Sequence, residues 1–199
     1  MKPICKSHIK LFSLALIIIH LQGCAAAIVA GAAVAGGAYT VAQDRRSTGS
    51  IVDDQGIEFK AKHEISKLIA ENEKTNINVI SYNNNVLLIG QVPSAEKRRL
   101  IEKHVRAIPK VRHVHNEIMI GPITRTAQRT SDSWITAKIK SRMMAERELN
   151  SSRIKVITEN GTVYLLGIVK LDEEEIATQI ARETKGVKKV IKIFEPMAI

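Results

Sequence analysis

The chain has 199 residues, 45% of them apolar and only 4% aromatic, and a formal charge of +10. That length holds one ordinary domain or two small ones with modest cores, and the basic excess calls for an anionic partner. Its two cysteines, Cys5 and Cys24, both lie within the first 24 residues, which excludes a disulfide-stapled fold downstream and leaves stability to packing.

Lys2, Lys6 and Lys10 precede an apolar run from Leu11 to Leu21, the basic head and short apolar stretch of a secretory signal. At a helical rise of about 1.5 Å per residue the run reaches about half of a 30 Å hydrocarbon core, so it exports the chain and does not span. Leu21-Gln22-Gly23-Cys24 follows where an Ala-x-Ala site would stand. It resembles a lipobox, at which bacteria acylate the cysteine and cut before it. The resemblance implies that residues 1–23 are a lipoprotein signal peptide and that Cys24 is the mature N-terminus and the lipid attachment. Acyl chains contribute about 0.8 kcal/mol per buried methylene, so several together anchor almost permanently. Ala25, in the second mature position, lacks the Asp of inner-membrane retention, which implies the outer membrane, on its periplasmic side. Loss of three lysines and no acid leaves the mature chain at +7. Export removes nucleic acid from the partners of a basic chain and leaves anionic lipid as the expected one.

From Ala25 to Tyr39 nearly every residue is Ala, Gly or Val, and Gln43 to Gln55 is polar. Residues 24–56 therefore read as the acylated cysteine and a flexible tether. Beyond it the chain repeats. Asn78 to Val92 aligns without gaps on Lys155 to Val169, at a shift of 77, with Val79, Ile80, Val86, Leu88, Gly90 and Val92 meeting Val156, Ile157, Val163, Leu165, Gly167 and Val169; this is an internal duplication. Each copy reads as a hairpin, turning at Asn83-Asn84 or at Asn160-Gly161, where positive φ is required.

Helix patterns flank both hairpins. Ile57 to Ala70 carries Ala61, Ile65, Leu68 and Ile69 on one side, and Asp132 to Glu148 carries Ile135, Ile139 and Met143. After the hairpins come 95–108, capped by Ser94 and ended by Pro109, and Leu171 to Thr184, stopped by Gly186. Val111 to Ile120 and Val187 to Phe194 close the halves as strands. The order in each is helix, strand, strand, helix, strand. The first two strands are expected antiparallel, the second and third parallel through a right-handed crossover, with both helices on one face of the sheet.

This arrangement, with Asp132-Ser133-Trp134-Ile135-Thr136-Ala137-Lys138-Ile139-Lys140-Ser141 and Thr158-Glu159-Asn160-Gly161 as its most specific pieces, resembles the BON domain. Two such units behind a lipobox resemble the dual-BON outer-membrane lipoproteins of Gram-negative bacteria. The resemblance implies an α+β fold of two tandem units, 57–120 and 132–196, joined by a linker at 121–131, each a three-stranded mixed sheet covered on one face by two helices. It further implies a non-enzymatic role without cofactor: binding of anionic phospholipid by the second unit, and support of outer-membrane integrity, including at the division site.

A binding face is legible without the family. With Ile135 at zero and about 100° per residue, Ile139 and Met143 continue a buried stripe, while Trp134, Lys138 and Arg142 line up beside it. Indole favours the headgroup boundary, and a cation near an anionic surface contributes about 1 kcal/mol. Trp134, Lys138 and Arg142, with Ser133 and Ile135 of the same motif, form the expected site for a lipid such as phosphatidylglycerol. Two alternatives stay open: an adaptor whose basic face docks an envelope protein partner, and a structural spacer in which Trp134 is buried between the units. His113, His115 and Glu117 alternate on one strand but supply no fourth metal ligand, and Asp172 to Glu175 suits the start of a helix. No metal site and no catalytic constellation is expected.

Overall fold

A computed structural model of the chain describes residues 44–70 and 73–197. The expected signal peptide, Cys24 and the tether as far as Gln43 lie outside these residues. The first unit runs α1 (Thr48–Leu68), β1 (Asn76–Tyr82), β2 (Asn85–Val92), α2 (Ala95–Arg106) and β3 (His113–Ile120). The second runs α3 (Thr126–Ala145), a 3-10 turn at Ser151–Arg153, β4 (Ile154–Glu159), β5 (Thr162–Val169), α4 (Leu171–Arg182) and β6 (Lys189–Pro196). Each unit has a three-stranded sheet, in the orders β1-β2-β3 and β4-β5-β6. The hairpin pairs are antiparallel and the crossover pairs parallel.

Local chemistry places the turns. Asn83, Asn84, Asn160 and Gly161 all have positive φ, as a two-residue turn that follows the strand twist demands. Gly90 is required for a different reason: a Cβ there would stand 1.9 Å from the Asn76 carbonyl oxygen, so only glycine lets β1 begin against β2.

Both leading helices start earlier than apolar periodicity suggests, at Thr48 instead of Ile57 and at Thr126 instead of Asp132. Ser47 caps α1 by accepting the Ser50 N–H. The first core-facing residue of α1 is Asp54 and that of α3 is Asp132; a search for apolar spacing passes over a buried acid. Residues 44–56, read above as the end of the tether, are therefore built into the fold, and the second half of the expected linker is helix. Asp44, Arg45 and Arg46 are bonded as well. The Arg45 guanidinium pairs with the Glu173 carboxylate and donates to the Ile168 carbonyl at 2.9 Å. Arg46 lies 4.1 Å over the Tyr82 ring and bonds Asp54 at 2.9 Å. The chain thus enters the fold tied to both units.

Three apolar clusters build the interior. Ile57, Ala61, Ile65, Leu88, Ile101 and Val105 lie between the first sheet and its helices, and Ile135, Ile139, Met143, Leu165, Ala177 and Ala181 do the same in the second unit. The third cluster joins the sheets: Ile80, Tyr82, Leu87 and Ile89 meet Tyr164, Leu166 and Ile193. The result is helices, sheet, sheet, helices. It explains why β2 is buried along its whole length and apolar on both faces. Polar contacts pin the seam: Asn83 and Asn85 donate to Glu195 at 2.8 and 2.7 Å, and Gln91 donates to Glu159 at 2.6 Å.

Candidate functional site

Helix α3 is held in place by its own acid. Asp132, only 4% exposed, accepts the backbone N–H of Asn160 at 2.7 Å and of Gly161 at 2.9 Å. Asp54 repeats the device, accepting from Asn83 and Asn84 at 2.8 Å each and from the Ser81 hydroxyl at 2.6 Å. Two donors that a left-handed turn leaves unpaired are satisfied by one carboxylate. Sequence reasoning missed both aspartates. The signal was present in the duplication, since aligning Ile57, Ala61 and Ile65 on Ile135, Ile139 and Met143 sets Asp54 on Asp132.

With one side of α3 packed by Ile135, Ile139 and Met143, the opposite side is open. Trp134 is 64% exposed and Met144 73%. Lys138, one turn after Trp134, is exposed; among the described residues it has no hydrogen-bonded or ionic partner, and neither do Lys140 and Arg147. Around the helix the outward arc reads Lys140, Met144, Ala137, Ser141, Trp134, Ala145, Lys138, an apolar centre between two ammonium groups. Met144 and Lys140 were not singled out from sequence, because only the Trp134 side of the arc was followed.

The remaining expected members of the site are elsewhere engaged. Ile135 is core, 4% exposed, and meets no headgroup. Arg142 reaches α4, donating to the Ile180 carbonyl at 3.0 Å, the Thr184 hydroxyl at 3.1 Å and the Glu183 carboxylate at 3.0 Å. It neutralises the carbonyl end of that helix instead of facing solvent as a free cation. Ser133 is exposed and its hydroxyl donates back to the Arg129 carbonyl at 3.1 Å.

The weaker candidates are also accounted for. His113 bonds Asn85 at 3.0 Å and faces the seam with His115. The acidic run is used in capping and pairing: Asp172 accepts the Glu173 N–H at 2.9 Å, Glu173 the Lys170 N–H at 2.9 Å, and Glu174 pairs with Lys192 at 2.7 Å. Among the described residues no cluster of three or more His, Cys, Asp or Glu is arranged for a metal ion, and no helix is long and apolar enough to cross a membrane.

The sequence pattern of the BON domain matches residues 53–122 and again 131–195. The chain belongs to the BON family. Its BON units are the two halves just described, with the aspartate-clamped hairpin in each. The chain is 40% identical over 177 residues to Outer membrane lipoprotein DolP of Haemophilus influenzae, covering 89% of this chain and 90% of that one. It is 38% identical over 158 residues to the 21 kDa hemolysin of Actinobacillus pleuropneumoniae, covering 79% and 81%. It is a dual-BON outer-membrane lipoprotein of the DolP type. The open arc of α3 is thus the first helix of the second BON unit.

Proposed function

We propose that the protein, held at the outer membrane by acylated Cys24, lays the open arc of α3 on anionic phospholipid such as phosphatidylglycerol and so maintains the order of that membrane, including at the division site, without catalysis. The observation that carries the reading is the exposed Trp134 beside Lys138, which has no ionic partner among the described residues. A Trp and Met centre flanked by lysines suits the headgroup boundary: the rings and thioether sit at the acyl edge and the ammonium groups reach the phosphates. Lys138 is the favoured phosphate ligand on one flank and Lys140 on the other. The contact need not be strong, because a tethered domain meets the membrane at high effective concentration. The spacer alternative predicts Trp134 between the units, whereas the seam is filled by Tyr82, Leu87, Tyr164 and Leu166.

The test is sedimentation of the non-acylated Cys24→Ser chain with phosphatidylglycerol vesicles, against phosphatidylcholine. Binding is expected to need the anionic lipid, to fall with salt, and to fall with Trp134→Ala and with Lys138→Glu. If neither substitution changes binding, the site is rejected.

A further inference from the structure

The duplication that sets Asp54 on Asp132 also sets Lys60 and Lys62 of α1 on Lys138 and Lys140 of α3. The lysines that bound the open arc of the second unit thus recur in the first. With Ile57 at zero and about 100° per residue, Ile57, Ala61 and Ile65 face the core, and the arc from Lys62 round through Phe59 and Val52 to Lys60 faces away. Phe59 is 75% exposed and Val52 62%, so the centre of this arc is apolar as well. Gly56 stands where α3 has Trp134, and a Cβ there would meet nothing within 4 Å. The aromatic group is carried instead by Phe59, on the next turn.

The charge around that centre favours an anionic surface. Among the described residues no acid lies on the arc between the two lysines. Lys60 is exposed and has no hydrogen-bonded or ionic partner among the described residues. Lys62, its side chain 60% exposed, stands 3.9 Å from Glu58, a contact that holds a surface cation loosely. Lys67, beside Lys60, is engaged by Glu64 at 2.7 Å. Position points the same way. α1 is the first described helix after Cys24 and begins 24 residues on, so an acylated Cys24 keeps this helix at high effective concentration beside the bilayer.

We infer that the arc of α1 centred on Phe59 is a second binding face for anionic phospholipid, with Phe59 and Val52 at the acyl edge and Lys60 and Lys62 at the phosphates. The inference takes its ligand from the headgroup reading of α3 and rests on it. It has a geometric consequence of its own. α1 covers the outer face of the first sheet and α3 that of the second, with the apolar seam between the sheets, so the two arcs face opposite ways. One flat bilayer meets one arc at a time, and a single chain can join two anionic surfaces.

The test uses the mature, non-acylated Cys24→Ser chain with phosphatidylglycerol vesicles, read by sedimentation for binding and by light scattering for vesicle clustering. The chain is expected to cluster these vesicles and not phosphatidylcholine ones. Trp134→Ala with Lys138→Glu disables α3, and Phe59→Ala with Lys60→Glu disables α1. Each pair should abolish clustering and weaken binding only in part; the four together should bring at least a further tenfold loss, roughly the worth of one charge reversal at an anionic surface. Gly56→Trp, which copies α3, should tighten binding several-fold in the chain that lacks the α3 face. No clustering by the parent chain, binding abolished by the α3 pair alone, or clustering untouched by the α1 pair in a variant that retains its melting temperature overturns the proposal. Binding that survives the α3 pair and is lost with the α1 pair upholds the α1 face and rejects the α3 site instead. A dimer in analytical ultracentrifugation that Phe59→Ala dissociates assigns the face to a second copy and overturns the proposal.

Discussion

Asp132 and Gly161 are joined by a hydrogen bond of 2.9 Å between a buried carboxylate and the turn amide, tying the helix that carries Trp134 to the hairpin on which it lies. Charge-assisted bonds of this kind contribute about 1.5–3 kcal/mol each, and their loss would strand two turn amides. Asp132→Ala is expected to lower stability by about 2–4 kcal/mol, with Asp132→Asn losing roughly half as much. Asp54→Ala should cost at least as much, since Ser81 and Arg46 also lose their partner. Urea unfolding measures both.

Arg142 and Lys138 should separate stability from binding. Arg142→Ala removes the cation at the end of α4 and is expected to destabilise by about 1 kcal/mol while leaving association with phosphatidylglycerol vesicles unchanged. Lys138→Ala should do the reverse. Thermal melting and vesicle sedimentation on the same two variants check this, and a reversed pattern would return Arg142 to the lipid site.

Gly90→Ala and Gly167→Ala should rank by space. The added Cβ would lie 1.9 Å from the Asn76 oxygen in the first case and 2.7 Å from the Arg153 oxygen in the second, and only Gly90 has positive φ of the two. Gly90→Ala is expected to lose more than about 3 kcal/mol or to fail to fold, and Gly167→Ala to lose less. Circular dichroism with urea titration distinguishes them.

Stability should also weaken on mild acidification. Desolvation of the His115 ring holds its pKa below the ordinary histidine value, the neighbouring His113 lowers it further, and Glu117 opposes both; Lys192 lies across the same groove. A base with a depressed folded pKa takes its proton more readily when unfolded, so its contribution is complete above the ordinary value near 6.5 and is lost as pH falls toward the folded one. The melting temperature is expected to drop below about pH 6.5, and His115→Asn to flatten that limb.

Arg45 should matter at lower pH. Burial pushes the Glu173 carboxyl upward, but Arg45, the Lys170 amide and Arg153 outweigh it and hold the group below the usual carboxylate range. Its contribution is therefore present above the unfolded value near 4.5 and lost as pH falls. Arg45→Ala is expected to shrink that acid limb and to speed tryptic cleavage after Arg46, which mass spectrometry follows.

What the sequence determined by itself is what short-range chemistry encodes. The duplicated hairpins follow from β-branched alternation around Asn83-Asn84 and Asn160-Gly161, and the stripe of α3, with Trp134 offset from it, from the spacing of Ile135, Ile139 and Met143; whether Trp134 is exposed or buried between the units was decided by the fold. The tertiary structure decided whatever depends on a distant partner. Asp54 and Asp132 read as surface acids until the turns they clamp are folded against them, 29 residues on in each case. Arg142 reads as a membrane cation until the end of α4 is found beneath it. The sheet-to-sheet seam could not be read at all, because alternation shows that a strand face is apolar but not what covers it. The contact of residue 58 is of the same kind: Glu58 reaches the Ser81 amide, whereas Thr136 at the matching place bonds the Thr158 hydroxyl.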